Sequence, residues 1–194
     1  MVSLSTFDIL PEYDIQAVLP ELLDKLPPWR LEKALAYRFE LDRFLCAKSF
    51  LMLEEMLADS YGIAPCPAFS YDAHGKPYFA EYPDIHFNIS HCHQGVACAL
   101  ADRPVGVDIE EIRYHGQVAE KVLNSNELEQ VNSAADPAEK FAEFWTRKES
   151  FVKLIGKGLT VPLKDILAAA EKVVFDTRIN RQVGYVCTLA KEAE

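Results

Sequence analysis

Asp108 and Glu110 stand two apart in Val105-Gly106-Val107-Asp108-Ile109-Glu110, where Val105, Val107 and Ile109 alternate with the other three. Alternation of this kind predicts a strand. Residues i and i+2 of a strand project from one face, so the two carboxylates converge while Val107 and Ile109 anchor the opposite face. Adjacent anions on an otherwise apolar strand repel each other unless a cation compensates them. A hard divalent ion such as Mg²⁺ would do so, taking one or two carboxylates plus substrate phosphates. The plain alternative is an edge strand that turns its polar residues outward.

A second group lies on a segment with helical periodicity over 138–156. At 100° per residue, Phe141, Phe144, Trp145, Phe151, Val152 and Ile155 form one apolar face. Glu149 and Lys153, four apart, lie along its edge, where such a pair is ordinarily a surface salt bridge worth a few tenths of a kcal/mol. Lys148 projects among the aromatics, so either its stem snorkels outward or its ammonium meets an anion. The face resembles the lip of a site more than plain core. In Phe87-Asn88-Ile89-Ser90-His91, a histidine at a strand end suits contact with a phosphate. His91 and His93 could instead share a metal with Asp108 or Glu110, although no other His or Cys has a zinc-site spacing. Gly75-Lys76-Pro77 puts a cation on a stiff turn. Arg30, Lys33, Arg38, Arg43 and Lys48 make the N-terminal third unusually basic, which spacing alone reads as a solvated helix face.

These residues need elements to hold them. Helices are expected over 29–37, with Pro28 at the start, and over 41–61, with Gly62 as the stop. The first third as a whole reads as helical. Strands are expected at 69–71 and 78–79 around the Gly75 turn, then at 85–90, 96–101 and 105–110. One helix is expected over 117–132, and another from Asp136-Pro137 to about Ile155, stopped by Gly156-Lys157-Gly158. Strands at 173–175 and 183–189 close the chain. Helices that precede strands in each half predict an α+β protein, with two similar lobes meeting near Pro104.

Composition narrows the classes further. The chain has 194 residues, enough to bury roughly 70% of its unfolded surface without a disulfide or zinc staple. With 30 acidic against 20 basic residues, the net charge of −10 argues against a surface devoted to nucleic acid and leaves room for a local basic pocket. Five cysteines without a C-x-x-C pairing suit free thiols in a reducing cytosol. Asp8, Glu12 and Asp14 near the start argue against a signal peptide. No stretch approaches the roughly 20 apolar residues of a membrane span. The expectation is a soluble cytoplasmic protein.

In order and separation, the four motifs resemble those of the 4′-phosphopantetheinyl transferase superfamily, of the surfactin-synthetase-activating (Sfp) type. They are Gly75-Lys76-Pro77, Phe87 to His91, Val105 to Glu110, and Phe144-Trp145-Thr146-Arg147-Lys148-Glu149-Ser150-Phe151-Val152-Lys153 with Gly156-Lys157-Gly158-Leu159. The combination of the strand and helix motifs is highly specific.

The resemblance implies a pseudo-twofold pair of α+β lobes in one monomeric chain, 1–104 and 105–194, with the active site in the cleft between them. It implies transfer of the phosphopantetheine arm of coenzyme A to a serine of an apo acyl, peptidyl or polyketide carrier protein, with release of adenosine 3′,5′-bisphosphate. Asp108, Glu110 and Glu149 would hold Mg²⁺ on the pyrophosphate, and Lys153 would neutralise charge as the bond breaks. Ser90 and His91 would contact the cofactor's phosphates, and Lys76 with Pro77 would line the nucleotide side. Arg43 would bind the nucleotide, Arg30 and Lys33 the 3′-phosphate, and Lys148 is grouped with these cofactor contacts. The serine's base would be Glu149, or Glu127 acting through a metal-bound water. Residues 111–126, Trp145 and the loop from Gly156 to Thr160 would meet the carrier. Two other readings share these residues: a non-catalytic module that binds coenzyme A or a carrier, and another Mg²⁺-dependent enzyme of phosphate esters.

Overall fold

A computed structural model describes residues 1–158 and 162–193, so Leu159 and Thr160 of the loop expected to meet the carrier lie outside the described residues. The protein is α+β. Its first half runs β1 (Val2–Asp8), α1 (Ile15–Asp24), α2 (Pro28–Leu35), α3 (Glu40–Tyr61), the hairpin β2 (Ser70–Tyr71) and β3 (Pro77–Tyr78), β4 (His86–Cys92) and β5 (Gly95–Ala101). Its second half runs β6 (Val105–Glu111), α4 (Gly116–Val122), α5 (Ser125–Ser133), α6 (Pro137–Ile155), a 3₁₀ turn at Ile166–Ala169, β7 (Val173–Asn180) and β8 (Tyr185–Glu192).

The two halves repeat one topology. Each has a three-stranded antiparallel sheet whose first strand pairs with its last, in the orders β1-β5-β4 and β6-β8-β7. A long helix covers each sheet, α3 in the first half and α6 in the second. Both helices end as their sequence predicts, with Gly62 and Gly156 at φ of 66° and 65°. That left-handed conformation costs a residue without Cβ the least.

β5 is buried along its whole length because its two faces serve different halves. Val96, Cys98 and Leu100 pack under α3, whereas Ala97, Ala99 and Ala101 meet Val105, Val107 and Ile109 of β6 and Tyr185, Cys187 and Leu189 of β8. Three alanines at alternate positions let the sheets approach closely. On the β4 side, Asn88 and Ser90 of one strand face do what a ladder does elsewhere. The Val107 N–H donates to Asn88 Oδ1 at 2.8 Å and the Ile109 N–H to Ser90 Oγ at 3.4 Å.

Three expectations need correction. The N-terminus is not helical throughout, since Val2–Asp8 is an edge strand along β5. The helix expected over 117–132 is two helices, because Asn124 caps the second one. Its side chain accepts from the Glu127 N–H, and the Glu127 carboxylate accepts from the Asn124 N–H. On α6, Ile155 is exposed, and Leu154 takes the buried position instead.

Candidate active site

The other face of β6 carries Gly106, Asp108 and Glu110 toward α6. A Cβ on Gly106 would sit 2.0 Å from the Ser150 carbonyl oxygen and 2.5 Å from the Leu154 nitrogen. Glycine at this position is therefore what allows the last turns of α6 to lie against the strand. Glu149 and Lys153, one helical turn apart, are thereby brought against Asp108. Lys153 Nζ lies 2.6 Å from Asp108 Oδ1 and donates at 2.8 Å to Ser90 Oγ, which itself donates to Asp108 Oδ1 at 2.9 Å.

A cavity of about 630 Å³ opens in front of this group, where α2, α3, the β2–β3 hairpin, β4, β6 and α6 meet. One end is anionic. Asp108 is 2% exposed, and burial followed by the Asp108 charge pushes the Glu110 carboxyl up to about 7, against a smaller downward pull from the indole N–H of Trp145 at 3.1 Å. Glu149 is raised by the same two causes, burial first, with Lys153 opposing. Asp108 Oδ2 and Glu149 Oε1 are buried and accept no hydrogen bond among the described residues. Buried carboxylate oxygens without donors are costly, and a cation is the natural complement.

The other end is cationic. Arg30 is 5% exposed, lies 5.5 and 5.6 Å from the ring centroids of Phe50 and Phe69, and donates to the Cys46 carbonyl at 2.9 Å. It has no ion-pair partner among the described residues, and its Nε is unsatisfied. Among the described residues, Lys33 meets only the Tyr71 hydroxyl, at 3.3 Å, and that ring. His91 is open to the cavity yet ringed by protein. Its pKa is lowered by that enclosure first and by the Lys153 cation second. In a chain of net charge −10, the uncompensated Arg30 and Lys33 mark a place for an anion.

Nine of the expected residues therefore line one cavity: Arg30, Lys33, Pro77, Ser90, His91, Asp108, Glu110, Glu149 and Lys153. Four others do not. Arg43 is half-buried on α3 and donates to the Tyr37 carbonyl at 2.9 Å. Lys76 turns its ammonium onto three backbone carbonyls. Lys148 is fully buried, 2.8 Å from Glu127 Oε2, and also donates to the carbonyls of Leu163 and Lys164. The ammonium among the aromatics thus meets an anion from another helix. The same ion pair, with the Asn124 cap, occupies Glu127. Tyr37 and Tyr71, exposed aromatics at the cavity wall, carried no sequence signal.

Among the described residues no three of His, Cys, Asp or Glu form a ready-made metal cage. Lys153 instead provides the positive charge at Asp108.

Carboxylates with a lysine at one end of a cleft and unpaired cations at the other suit a charged phosphate ester. Residues 104–185 match the family model of the 4′-phosphopantetheinyl transferase superfamily. A 4′-phosphopantetheinyl transferase of Bacillus subtilis is 34% identical over 117 residues, 58% of this chain and 52% of that protein. The 4′-phosphopantetheinyl transferase gsp of Aneurinibacillus migulanus is 43% identical over 98 residues, 49% of this chain and 40% of its own length. AcpT of Escherichia coli K12, also a 4′-phosphopantetheinyl transferase by name, is 35% identical over 103 residues, 50% of this chain and 53% of its own. The matched regions thus span about half the length of these relatives.

Proposed function

We propose that this chain transfers the 4′-phosphopantetheine arm of coenzyme A to a serine hydroxyl of an apo carrier protein and releases adenosine 3′,5′-bisphosphate. The observation that carries the reading is the single cavity with Asp108, Glu110, Glu149 and Lys153 at one end and the unpaired Arg30 and Lys33 at the other. Coenzyme A has a pyrophosphate and a separate 3′-phosphate, which match those two ends. The halves 1–104 and 105–194 act as the lobes of the cleft, so a monomer suffices. The five free, buried thiols support a reducing, cytoplasmic setting, and no described helix is long and apolar enough to cross a membrane.

Mg²⁺ suits the anionic end, given the donorless oxygens of Asp108 and Glu149 and the raised pKa of Glu110. Asp108, Glu110 and Glu149 would hold it. When bound, it would neutralise charge on the pyrophosphate.

The chain's own residues do the rest. Glu149, whose pKa is raised first by burial and then by the Asp108 charge, takes the proton of the carrier's serine. The serine oxygen bonds to the phosphorus that bears the pantetheine arm. The bond from that phosphorus to the bridging oxygen breaks, and its electron pair leaves on adenosine 3′,5′-bisphosphate. Lys153 offsets the charge that gathers on the leaving phosphate. Such fixed electrostatic complementarity is the main contribution expected in phosphoryl-type transfer. Arg30 and Lys33 bind the 3′-phosphate, and Ser90 and His91 hold the phosphates between.

Carrier proteins are acidic, so docking calls for a basic or apolar patch. Residues 111–126 would meet the carrier with a mixed surface, in which Arg113 is paired with Glu111 at 3.3 Å. Arg113, His115 and Val118 line a groove of about 310 Å³ that shares Glu110 and Trp145 with the main cavity, and Tyr114 is exposed beside it.

Chromatographic assay of adenosine 3′,5′-bisphosphate tests the reading. Release should require both the carrier and its serine. Release that persists with a carrier whose serine is replaced by alanine would identify a hydrolase instead.

A further inference from the structure

We infer that Lys76 is a positioning residue, a strut that fixes the C-terminal end of α6 and with it Lys153, and that it does not ligate the nucleotide. The kinetic part of this inference rests on the transferase reading. The structural part does not.

Lys76 Nζ donates to the carbonyl of Lys153 at 2.6 Å, of Leu154 at 3.1 Å and of Val105 at 3.3 Å. An ammonium has three hydrogens, so these acceptors use all of them and leave none for a phosphate. The carbonyls of the last helical turn have no intrahelical donor and carry the negative end of the helix dipole. A lysine delivered from outside the helix answers both needs. The third acceptor begins β6, so one side chain ties the hairpin of the first half to the strand and the helix that carry the carboxylates.

The turn that presents Lys76 is itself fixed. Asp72 Oδ1 accepts from the N–H groups of His74 at 2.8 Å and Lys76 at 2.9 Å, and Gly75 takes φ +83°. On the receiving side, the stem of Lys76 runs alongside the C-cap Gly156, where a Cβ would meet Lys76 Cδ at an ordinary contact distance of 3.4 Å. The residue whose carbonyl is held most tightly is the one whose ammonium reaches Asp108 and Ser90. The strut therefore sets where that ammonium stands.

Lys76→Met keeps the stem and removes the donors. Turnover should fall by up to about a hundredfold, the cost of a misplacement near 1 Å, while calorimetric affinity for coenzyme A changes little. In a Lys153→Ala background the same substitution should cause no further loss of turnover. Lys76→Arg should restore part of the loss, because a guanidinium still reaches the carbonyls. A nucleotide ligand behaves oppositely: affinity for coenzyme A would fall at least tenfold and the two substitutions would add, and that result would overturn the inference.

Hydrogen exchange on the free protein needs no activity. The peptide covering the last turn of α6 should exchange faster in Lys76→Met while α3 is unchanged, and equal exchange would also overturn the strut. Should Lys76→Met melt globally, Lys76→Gln is read by the same exchange criterion. If the wild type transfers nothing, the exchange result still decides the strut, and the failure falls on the transferase reading alone.

Discussion

Glu110→Gln in the metal-free protein offers a quantitative test of the anionic end. The folded value of about 7 lies roughly 2.5 above the ordinary 4.5, with burial as the main cause and the Asp108 charge second. A carboxyl raised in this way opposes folding once the unfolded chain ionises. Below pH 4.5 both states hold the proton and the group is neutral to stability. Between pH 4.5 and 7 the unfolded chain releases it while the folded one retains it, so stability falls with rising pH. Above pH 7 the whole difference is felt. At ~1.4 kcal/mol for each unit of pKa, the ceiling is about 3 kcal/mol. Water reaching the open cavity screens part of this, which leaves roughly 1–3 kcal/mol. Glutamine keeps an oxygen for the Trp145 indole N–H and does not ionise. Urea unfolding in EDTA should therefore show the variant more stable than wild type by about that amount at pH 8, and nearly equal to it near pH 4. In a chain of this size the gain corresponds to roughly 2–12 °C in Tm. Adding Mg²⁺ at pH 8 should stabilise wild type more than the variant. A variant no more stable than wild type at pH 8 would refute the claim that Glu110 lies in an uncompensated anionic cluster.

Three further outcomes are expected. Lys148→Ala leaves the Glu127 carboxylate buried without its cation and should cost about 3–5 kcal/mol in urea unfolding. A near-neutral result would mean that Glu127 is free for another role. Gly106→Ala drives a Cβ into the Ser150 carbonyl, so α6 must move away from Asp108. Transfer should fall sharply and Tm should drop, and a wild-type rate would show that the close approach of α6 is not needed. Trp145→Ala removes a half-buried ring and the donor to Glu110, which should cost about 1–3 kcal/mol, less than the roughly 3–5 of a fully buried tryptophan. Trp145→Phe, which keeps the bulk of the ring and removes the donor, should raise the Glu110 pKa further, as a pH titration of stability in EDTA would show. An unmoved pKa would remove that hydrogen bond from the account.

Much of this was legible before any coordinates, for identifiable physical reasons. Helix ends were readable because Gly62 and Gly156 declare a left-handed residue and Asp136-Pro137 a capped start. β6 was readable because alternation on a strand has one geometric meaning. The break at Asn124 had a signal too, an N-x-x-E capping box, which a continuous run of helix formers hid. β1 lacked a strong signal because an edge strand half open to water has weak alternation. Within the site, strand geometry put Asp108 beside Glu110 and helix geometry put Glu149 beside Lys153, whereas the meeting of the two pairs came from the resemblance of the motifs. Lys148 and Glu127 show the boundary of such reasoning. Periodicity placed a cation among aromatics and required an anion for it. The anion came from a different helix, and only tertiary packing selects it. Lys76 is similar: a turn lysine reads as a free cation, and nothing in its neighbours announces three carbonyls from the far half of the chain.

The most direct measurement is the intact mass of an apo acyl carrier protein after incubation with this protein, coenzyme A and Mg²⁺, with an EDTA control. The predicted result is a single gain the size of one phosphopantetheine arm on the carrier, absent with EDTA and absent when Asp108 is replaced by alanine. Unmodified acyl, peptidyl and polyketide carriers, alongside calorimetric binding of coenzyme A, would contradict the transferase account and favour a binding module.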